Sequence, residues 1–174
     1  MRVEIVASDL VPLSWALRQR TANAQRSWQT RAVVLLRVRA SDGTLGWGEA
    51  APLPGFSTDS LDACRAELSS AVMHCGPLQT GDPIEQTLRA AVARARVRSP
   101  AAIFCLESAL LDVLGKIRGE PAWRLLRPDA TSPAPVPLAA LLRETAPDAI
   151  ANEARSVIAR GVRAVKLKDR KSVV

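Results

Sequence analysis

The segment VRAVKLK (162–168) sets two lysines, Lys166 and Lys168, two residues apart. In an extended strand the side chains alternate, so Ala164, Lys166 and Lys168 share one face and Val165 and Leu167 the other. Burying two ammonium groups on one face costs free energy unless negative charge sits opposite. Such a pair asks for an anionic partner. It also lowers a lysine pKa, because a neighbouring cation favours the neutral amine. A neutral amine near pH 7 can take a proton as a general base. If Val165 and Leu167 pack on helices outside a barrel, the lysines point into it at the C-terminal end of the strand, where barrel enzymes place their chemistry. The other reading is a pair of solvated lysines near a chain end, and these residues alone leave both open.

The elements that must position this strand are legible upstream. VPLAALL (136–142) is a short apolar strand. Residues 147–160 follow as an amphipathic helix, with Ile150, Ala154, Val157 and Ile158 inward and Gly161 at its end. Strand, helix and strand with short connections make a βαβ unit and imply a parallel sheet. Pro128 to Pro137, rich in Pro, Ala and Ser, reads as a linker before it.

The first half reads as antiparallel strands. RVEIVA (2–7) and VPLSWALR (11–18) are extended; RQRTANAQRSWQT (18–30) is polar, lacks apolar periodicity and is expected to be a long loop. RAVVLLRVRA (31–40) alternates, with Ala32, Val34, Leu36 and Val38 on one face and Arg37 and Arg39 on the other. Asp42-Gly43 predicts a hairpin turn into LGWGEA. Helices are expected from Thr58 or Asp59 to about Met73, over 83–96 with Pro83 at its first turn, and from Ser99-Pro100 to Gly119. In the last, Ile103, Leu106, Leu110, Val113, Leu114 and Ile117 form the core stripe. Asp112 and Lys116 form an i,i+4 pair on the exposed side.

Composition narrows the function classes. The chain of 174 residues suits one ordinary domain, or a small domain with part of another. Apolar residues are 48%, enough for a packed core. No run approaches the ~18 apolar residues of a membrane span, and MRVEIVASDL lacks the apolar core of a signal peptide. Cys64, Cys75 and Cys105 are odd in number and widely spaced, so reduced thiols in a cytoplasmic protein are expected. The formal net charge of +7 admits a basic nucleic-acid-binding module as the alternative from another class. Against it, arginines are scattered through every element and aromatics are 3% with no Tyr, so base-stacking platforms are scarce. No nucleic-acid partner and no membrane are expected.

GWGEAAPLPGFSTDSLD (46–62), SPAAIFCLESALLDVLGKIRGEPAWRLL (99–126) and VRAVKLK (162–168) together resemble the muconate-lactonizing branch of the enolase superfamily. Within the branch, APLPGFS (51–57) followed by TDS is most similar to the o-succinylbenzoate synthase family. The resemblance implies an α+β capping domain over residues 1–127, a three-stranded antiparallel meander plus helices. It implies the truncated start of a (β/α)7β TIM-like barrel over 128–168, its first βαβ unit. Two cap loops, 18–30 and 52–58, would close over a small-molecule carboxylate substrate, with Phe56 and Ser57 able to contact it. Local readings of the same residues are a plug for Phe56 and a helix cap for Ser57 or Thr58. Lys168 carries over as the base that abstracts the proton α to the carboxylate, and Lys166 as the group that tunes it. Mg²⁺ is the implied cofactor, held by three acidic residues on later strands, so none of the residues here is assigned as a metal ligand. The implied reaction is dehydration to 2-succinylbenzoate, in menaquinone biosynthesis. N-succinylamino acid racemase, dipeptide epimerase and muconate cycloisomerase share KxK and stand as alternatives. Glu49 matches a structural position of the cap, His74 is assigned no chemistry, and the oligomeric state stays open.

After Lys168 the pattern departs from the family. DRKSVV (169–174) replaces the expected small apolar turn, and one source expected to give such a string is a sequencing adapter read in frame. A non-native tail on an N-terminal fragment, itself inactive, is the expectation.

Overall fold

The structure is a computed structural model and describes residues 2–22 and 26–167. Lys168 and the expected tail at 169–174 lie outside the described residues. The chain divides into two compact units, the larger made of Met1–Thr21 with Ser27–Thr131 and the smaller of Ala22–Arg26 with Ser132–Val174. Among the described residues, no helix is long and apolar enough to cross a membrane.

The larger unit opens with β1 (Arg2–Val3) and β2 (Ile5–Ala22), followed by β3 (Ser27–Ala40) and β4 (Leu45–Ala50). The last three form one sheet in the order β2-β3-β4. Pro12 falls in β2, which lies at the edge of this sheet, where proline is tolerated in strands. β3 and β4 pair antiparallel, with Val34 opposite Ala50 and Arg39 opposite Leu45. Their turn is closed by the Gly43 N–H donating to Ala40 O at 2.9 Å and the Thr44 N–H to Asp42 Oδ1 at 2.9 Å. Gly43 has φ +88°, which a side chain would strain.

One expectation changes here. Residues 18–30 are not a long loop, since β2 runs on to Ala22 and β3 starts at Ser27. Apolar alternation marks a strand only when one face is buried. Here the side chains described on both faces are mostly exposed, and the strands are held by backbone pairing with a side-chain bond from Arg20 Nη2 to Ser27 Oγ at 2.8 Å. The buried face of β3 also starts one pair later than expected. Ala32 is exposed, while Val34, Leu36 and Val38 are wholly buried.

Four helices and a short strand complete the unit: α1 (Leu61–Ala71), β5 (Leu78–Gln79), α2 (Ile84–Ala95), α3 (Pro100–Arg118) and α4 (Ala122–Leu126). β5 pairs antiparallel with β1. In α3, Ala102, Cys105, Leu106, Ala109, Leu110, Val113 and Leu114 have no exposed surface, so the helix is the centre of the core. Ile103 and Ile117 of the expected stripe are only partly buried. Each large side chain fully buried this way contributes about 1.5–3 kcal/mol.

β4 meets α3 backbone to backbone. A Cβ on Gly48 would stand 1.9 Å from Cys105 O, and one on Gly46 2.3 Å from Ala109 O. Only glycine fits at either place. Asp112 and Lys116 finish the contact. The Trp47 N–H donates to Asp112 Oδ2 at 3.0 Å, and Lys116 Nζ donates to Leu45 O at 2.8 Å and to Asp112 at 2.7 Å. The pair read from sequence as an exposed i,i+4 bridge thus also satisfies the open edge of β4, which a sheet must otherwise protect.

The N-terminus of α3 is capped from α1. Ser99 makes no side-chain cap bond. Instead Glu67 accepts from Arg98 N at 2.7 Å, Ser99 N at 2.9 Å and Ser99 Oγ at 2.6 Å, and Asp59 accepts from Ala101 N at 2.8 Å. Negative charge there also complements the helix dipole. Asp59, expected as the cap of α1, is therefore committed elsewhere, and Ser60 Oγ caps α1 by accepting from Ala63 N at 3.1 Å. Burial raises the Glu67 pKa, but the bonds from Ser99 and Arg98 outweigh it and hold the carboxyl below its ordinary value. All three cysteines are free and buried. Burial pushes Cys75 to about 11 and Cys105 to about 12; burial and then the charge of Asp59 push Cys64 to about 11.

The smaller unit holds β6 (Ala139–Leu141), α5 (Pro147–Ala159) and β7 (Ala164–Lys166), with β6 and β7 paired parallel. Glu153 of α5 accepts from the backbone N–H of Arg143 at 2.8 Å and Glu144 at 3.0 Å, which fixes the turn after β6.

Two outcomes follow. Gly48→Ala must push β4 off α3, and it should cost about 3 kcal/mol or more, whereas Gly81→Ala, with nothing within 4 Å of the added Cβ, should stay within about 0.5 kcal/mol. Urea unfolding of the two variants checks this. For Glu67, a folded pKa below the unfolded value means its stabilisation is present above ~4.3 and is lost as pH falls through the lower, folded pKa. Glu67→Gln should lose about 1 kcal/mol at neutral pH and show a shallower loss of stability on acidification, read from urea midpoints between pH 7 and pH 3.

Candidate functional site

The turn between β4 and α1 carries the first pair of expected site residues. The N–H groups of Phe56 and Ser57 both donate to Leu53 O at 2.9 Å, and Ser57 Oγ accepts from Leu53 N at 2.9 Å. Gly55 supplies the positive φ, +74°, that the turn needs. This ring draws the Ser57 hydroxyl into the turn and turns Phe56 out. Phe56 is 73% exposed, so it is not a local plug. Ser57 caps no helix; its oxygen closes the turn.

Beside the turn lies an open groove of about 510 Å³, lined by Glu49, Phe56, Ser57, Thr58, Pro100 and Phe104 among others. Phe104 is 64% exposed although its helix is the centre of the core. Glu49 sits opposite Leu35 in the ladder with its side chain exposed. The groove thus combines two outward aromatic rings, hydroxyls and two carboxylates, the exposed Glu49 and the half-buried Asp59. That is a surface for binding and orienting, with no nucleophile–base pair in it.

Sequence reasoning missed what holds this turn. Arg31 of β3 donates from Nη1 to Pro52 O at 3.0 Å and from Nη2 to Ala51 O. Trp28 donates from Nε1 to Pro54 O at 3.1 Å. The only local signal was two prolines without N–H groups, Pro52 and Pro54, in a turn that needs donors from elsewhere.

Lys166 lies on β7 and is exposed. It pairs in register with Leu141, and its carbonyl accepts from Leu142 N at 3.0 Å. Alternation sets Ala164, Lys166, Ala139 and Leu141 on one face and Val165 and Ala140 on the other. Leu142, in phase with Ala140, is 6% exposed while Val165 of the same face is 43% exposed, so the covered side is the Leu142 side and is covered at β6 only. Lys166 therefore sits on the face away from the covered side. Lys168, outside the described residues, continues the same alternation in sequence only.

His74 has a local role, its Nδ1–H donating to Ser70 O at 2.7 Å. Among the described residues, no three His, Cys, Asp or Glu side chains come together as a metal site. These residues do not fit a magnesium centre.

Known proteins bear on this geometry. Muconate cycloisomerase 1 of Pseudomonas putida is 34% identical over 108 residues, covering 59% of this chain and 28% of that protein. The o-succinylbenzoate synthase of Thermosynechococcus vestitus is 38% identical over 61 residues, covering 35% of this chain and 19% of that protein. The crystal structure of a dipeptide epimerase from Enterococcus faecalis, complexed with Mg and the dipeptide L-Leu-L-Tyr, superposes with a TM-score of 0.76 at 17% identity, covering 97% of this chain and 46% of that one. The chain thus spans less than half the length of each. The family described as mandelate racemase / muconate lactonizing enzyme, N-terminal domain, matches over residues 6–127. With the glycine-spaced strand on its buried helix and the tied turn beside it, the chain belongs to that family, and so to the enolase superfamily.

Proposed function

We propose that residues 1–127 are the capping domain, and residues 128–168 the first βαβ unit of the barrel, of an enzyme that abstracts a proton α to a carboxylate. The observation that carries this reading is the parallel β6-α5-β7 unit with Lys166 on the face away from the covered side. Val165 and Leu167 are 43% and 55% exposed, which supports a sheet that continues past two strands. In this reading Lys168 Nζ is the base. Lys166, two residues earlier on the same face, favours the neutral form of Lys168 and meets the substrate carboxylate with positive charge. Phe56 and Ser57 contact the substrate from the cap. Mg²⁺ is the proposed cofactor, since the epimerase neighbour was solved with it; its ligands lie outside the residues described here. The buried free thiols suit a reducing, cytoplasmic setting.

Within the superfamily the proposed reaction is the dehydration that yields 2-succinylbenzoate. APLPGFS (51–57) and the 38% identity to an o-succinylbenzoate synthase support it. Cycloisomerisation of a muconate is the second reading, favoured by the longer stretch of 34% identity. The full gene product, assayed with the cyclohexadiene carboxylate, a muconate and a set of dipeptides, separates them: turnover of the first alone is the expected result. The 174-residue chain itself should show none.

In the active gene product, Lys168→Arg should lower kcat/KM by about 10²–10⁴-fold, because a guanidinium stays protonated and cannot accept the proton. Lys166→Ala should hurt less and shift the ascending limb of kcat/KM against pH upward, since the neighbouring cation that favours the neutral amine is gone. Near wild-type activity in Lys168→Arg removes Lys168 from the mechanism.

A further inference from the structure

We infer that Arg31 and Trp28 are positioning residues that join the 51–57 turn to the β2–β3 hairpin, so that the two segments move as one body. The turn cannot tie itself to the sheet. β4 ends at Ala50, and Pro52 and Pro54 have no N–H to donate. What remains are the carbonyls of Ala51, Pro52 and Pro54, and all three accept from β3 side chains: two from the Arg31 guanidinium and one from the Trp28 indole. The Arg31 bonds are partly buried, which makes them stronger than the exposed bond from Trp28. The Arg31 bonds are charge-assisted and arranged as a fork, which sets the turn's orientation as well as its distance. The turn is itself a closed ring through Leu53, Phe56 and Ser57. A closed ring held at three points to one strand has little freedom apart from that strand.

The consequence for catalysis rests on the reading of Phe56 and Ser57 as substrate contacts; the coupling does not. If the 51–57 turn meets substrate, displacement of the hairpin moves Phe56 with it, and residues of β3 that touch no substrate influence specificity.

The test is amide hydrogen exchange on the full chain, resolved to residues 27–31, 34–38 and 53–57. Arg31→Met should accelerate exchange at Phe56 and Ser57 by roughly 10- to 100-fold. Amides 27–31 should accelerate with them while 34–38 keep wild-type rates. Arg31→Lys keeps the charge but not the fork, so it should recover only part of the protection. Trp28→Phe should give a smaller acceleration at 53–57, and its combination with Arg31→Met should be less than additive, because both act on one body. Loosening of 53–57 with no change at 27–31 overturns the coupling, as does full recovery in Arg31→Lys. If Arg31→Met also accelerates 34–38, Trp28→Phe decides: unchanged exchange at 53–57 in that variant overturns it. Failure of every substrate in the gene product would end the functional reading and leave this result standing.

Discussion

The larger unit depends on the approach of β4 to α3. Two glycines, Gly46 and Gly48, let the strand backbone lie against the helix backbone at Ala109 and Cys105. Small residues on the helix side, Ala102, Cys105 and Ala109, make room from below, and all three are wholly buried. The contact places α3 under the sheet, where Leu106, Leu110, Val113 and Leu114 join Val34, Leu36 and Val38 in one core. The contact also brings α3 side chains alongside the open edge of β4. Asp112 accepts from Trp47 N there and Lys116 donates to Leu45 O.

A helix so placed needs its own ends satisfied, and that requirement reaches the candidate site. The Ala101 amide of α3 is met by Asp59, from the turn before α1, and the amides of Arg98 and Ser99 just ahead of α3 by Glu67 of α1. Asp59 follows directly on the segment that carries Phe56 and Ser57. One end of that segment is thus fixed by capping α3 and the other by the end of β4, both set by the same glycine-mediated contact. Between them the turn is held by Arg31 and Trp28. The outward Phe56 and Phe104 flank a groove whose walls are all anchored, although the groove itself is open. Binding surfaces on rigid supports lose less entropy when a ligand orders them.

The smaller unit is organised by other means. Val157 and Leu142 are its buried apolar side chains among the described residues, and much of its apolar surface stays exposed. Its local geometry is carried by polar bonds to the backbone, such as those of Glu153, whose carboxyl is held below its ordinary value first by the Glu144 N–H and then by that of Arg143. The parallel pairing of β6 and β7 and the direction of Lys166 follow from this βαβ geometry without a large core.

The sequence by itself determined the elements whose signals are local. β3 was readable because Val34, Leu36 and Val38 alternate with Arg37 and Arg39 in its second half, although Val33 on the other face is buried too; the Asp42-Gly43 turn was readable because of its backbone chemistry, and α3 because its stripe recurs at helical spacing. GWGEA, the 99–126 segment and VRAVKLK also placed the chain in its superfamily. What only the tertiary structure decided are matters of pairing across distance. A polar ladder at 18–22 and 27–30 looks like a loop, because backbone hydrogen bonds leave no pattern in side-chain type. Asp59 looks like the cap of its own helix until α3 brings Ala101 N to it. Arg31 and Trp28 look like ordinary strand residues, since their partners lie 20 to 26 positions away. Local sequence records which groups need a partner; only the folded chain selects which partner arrives.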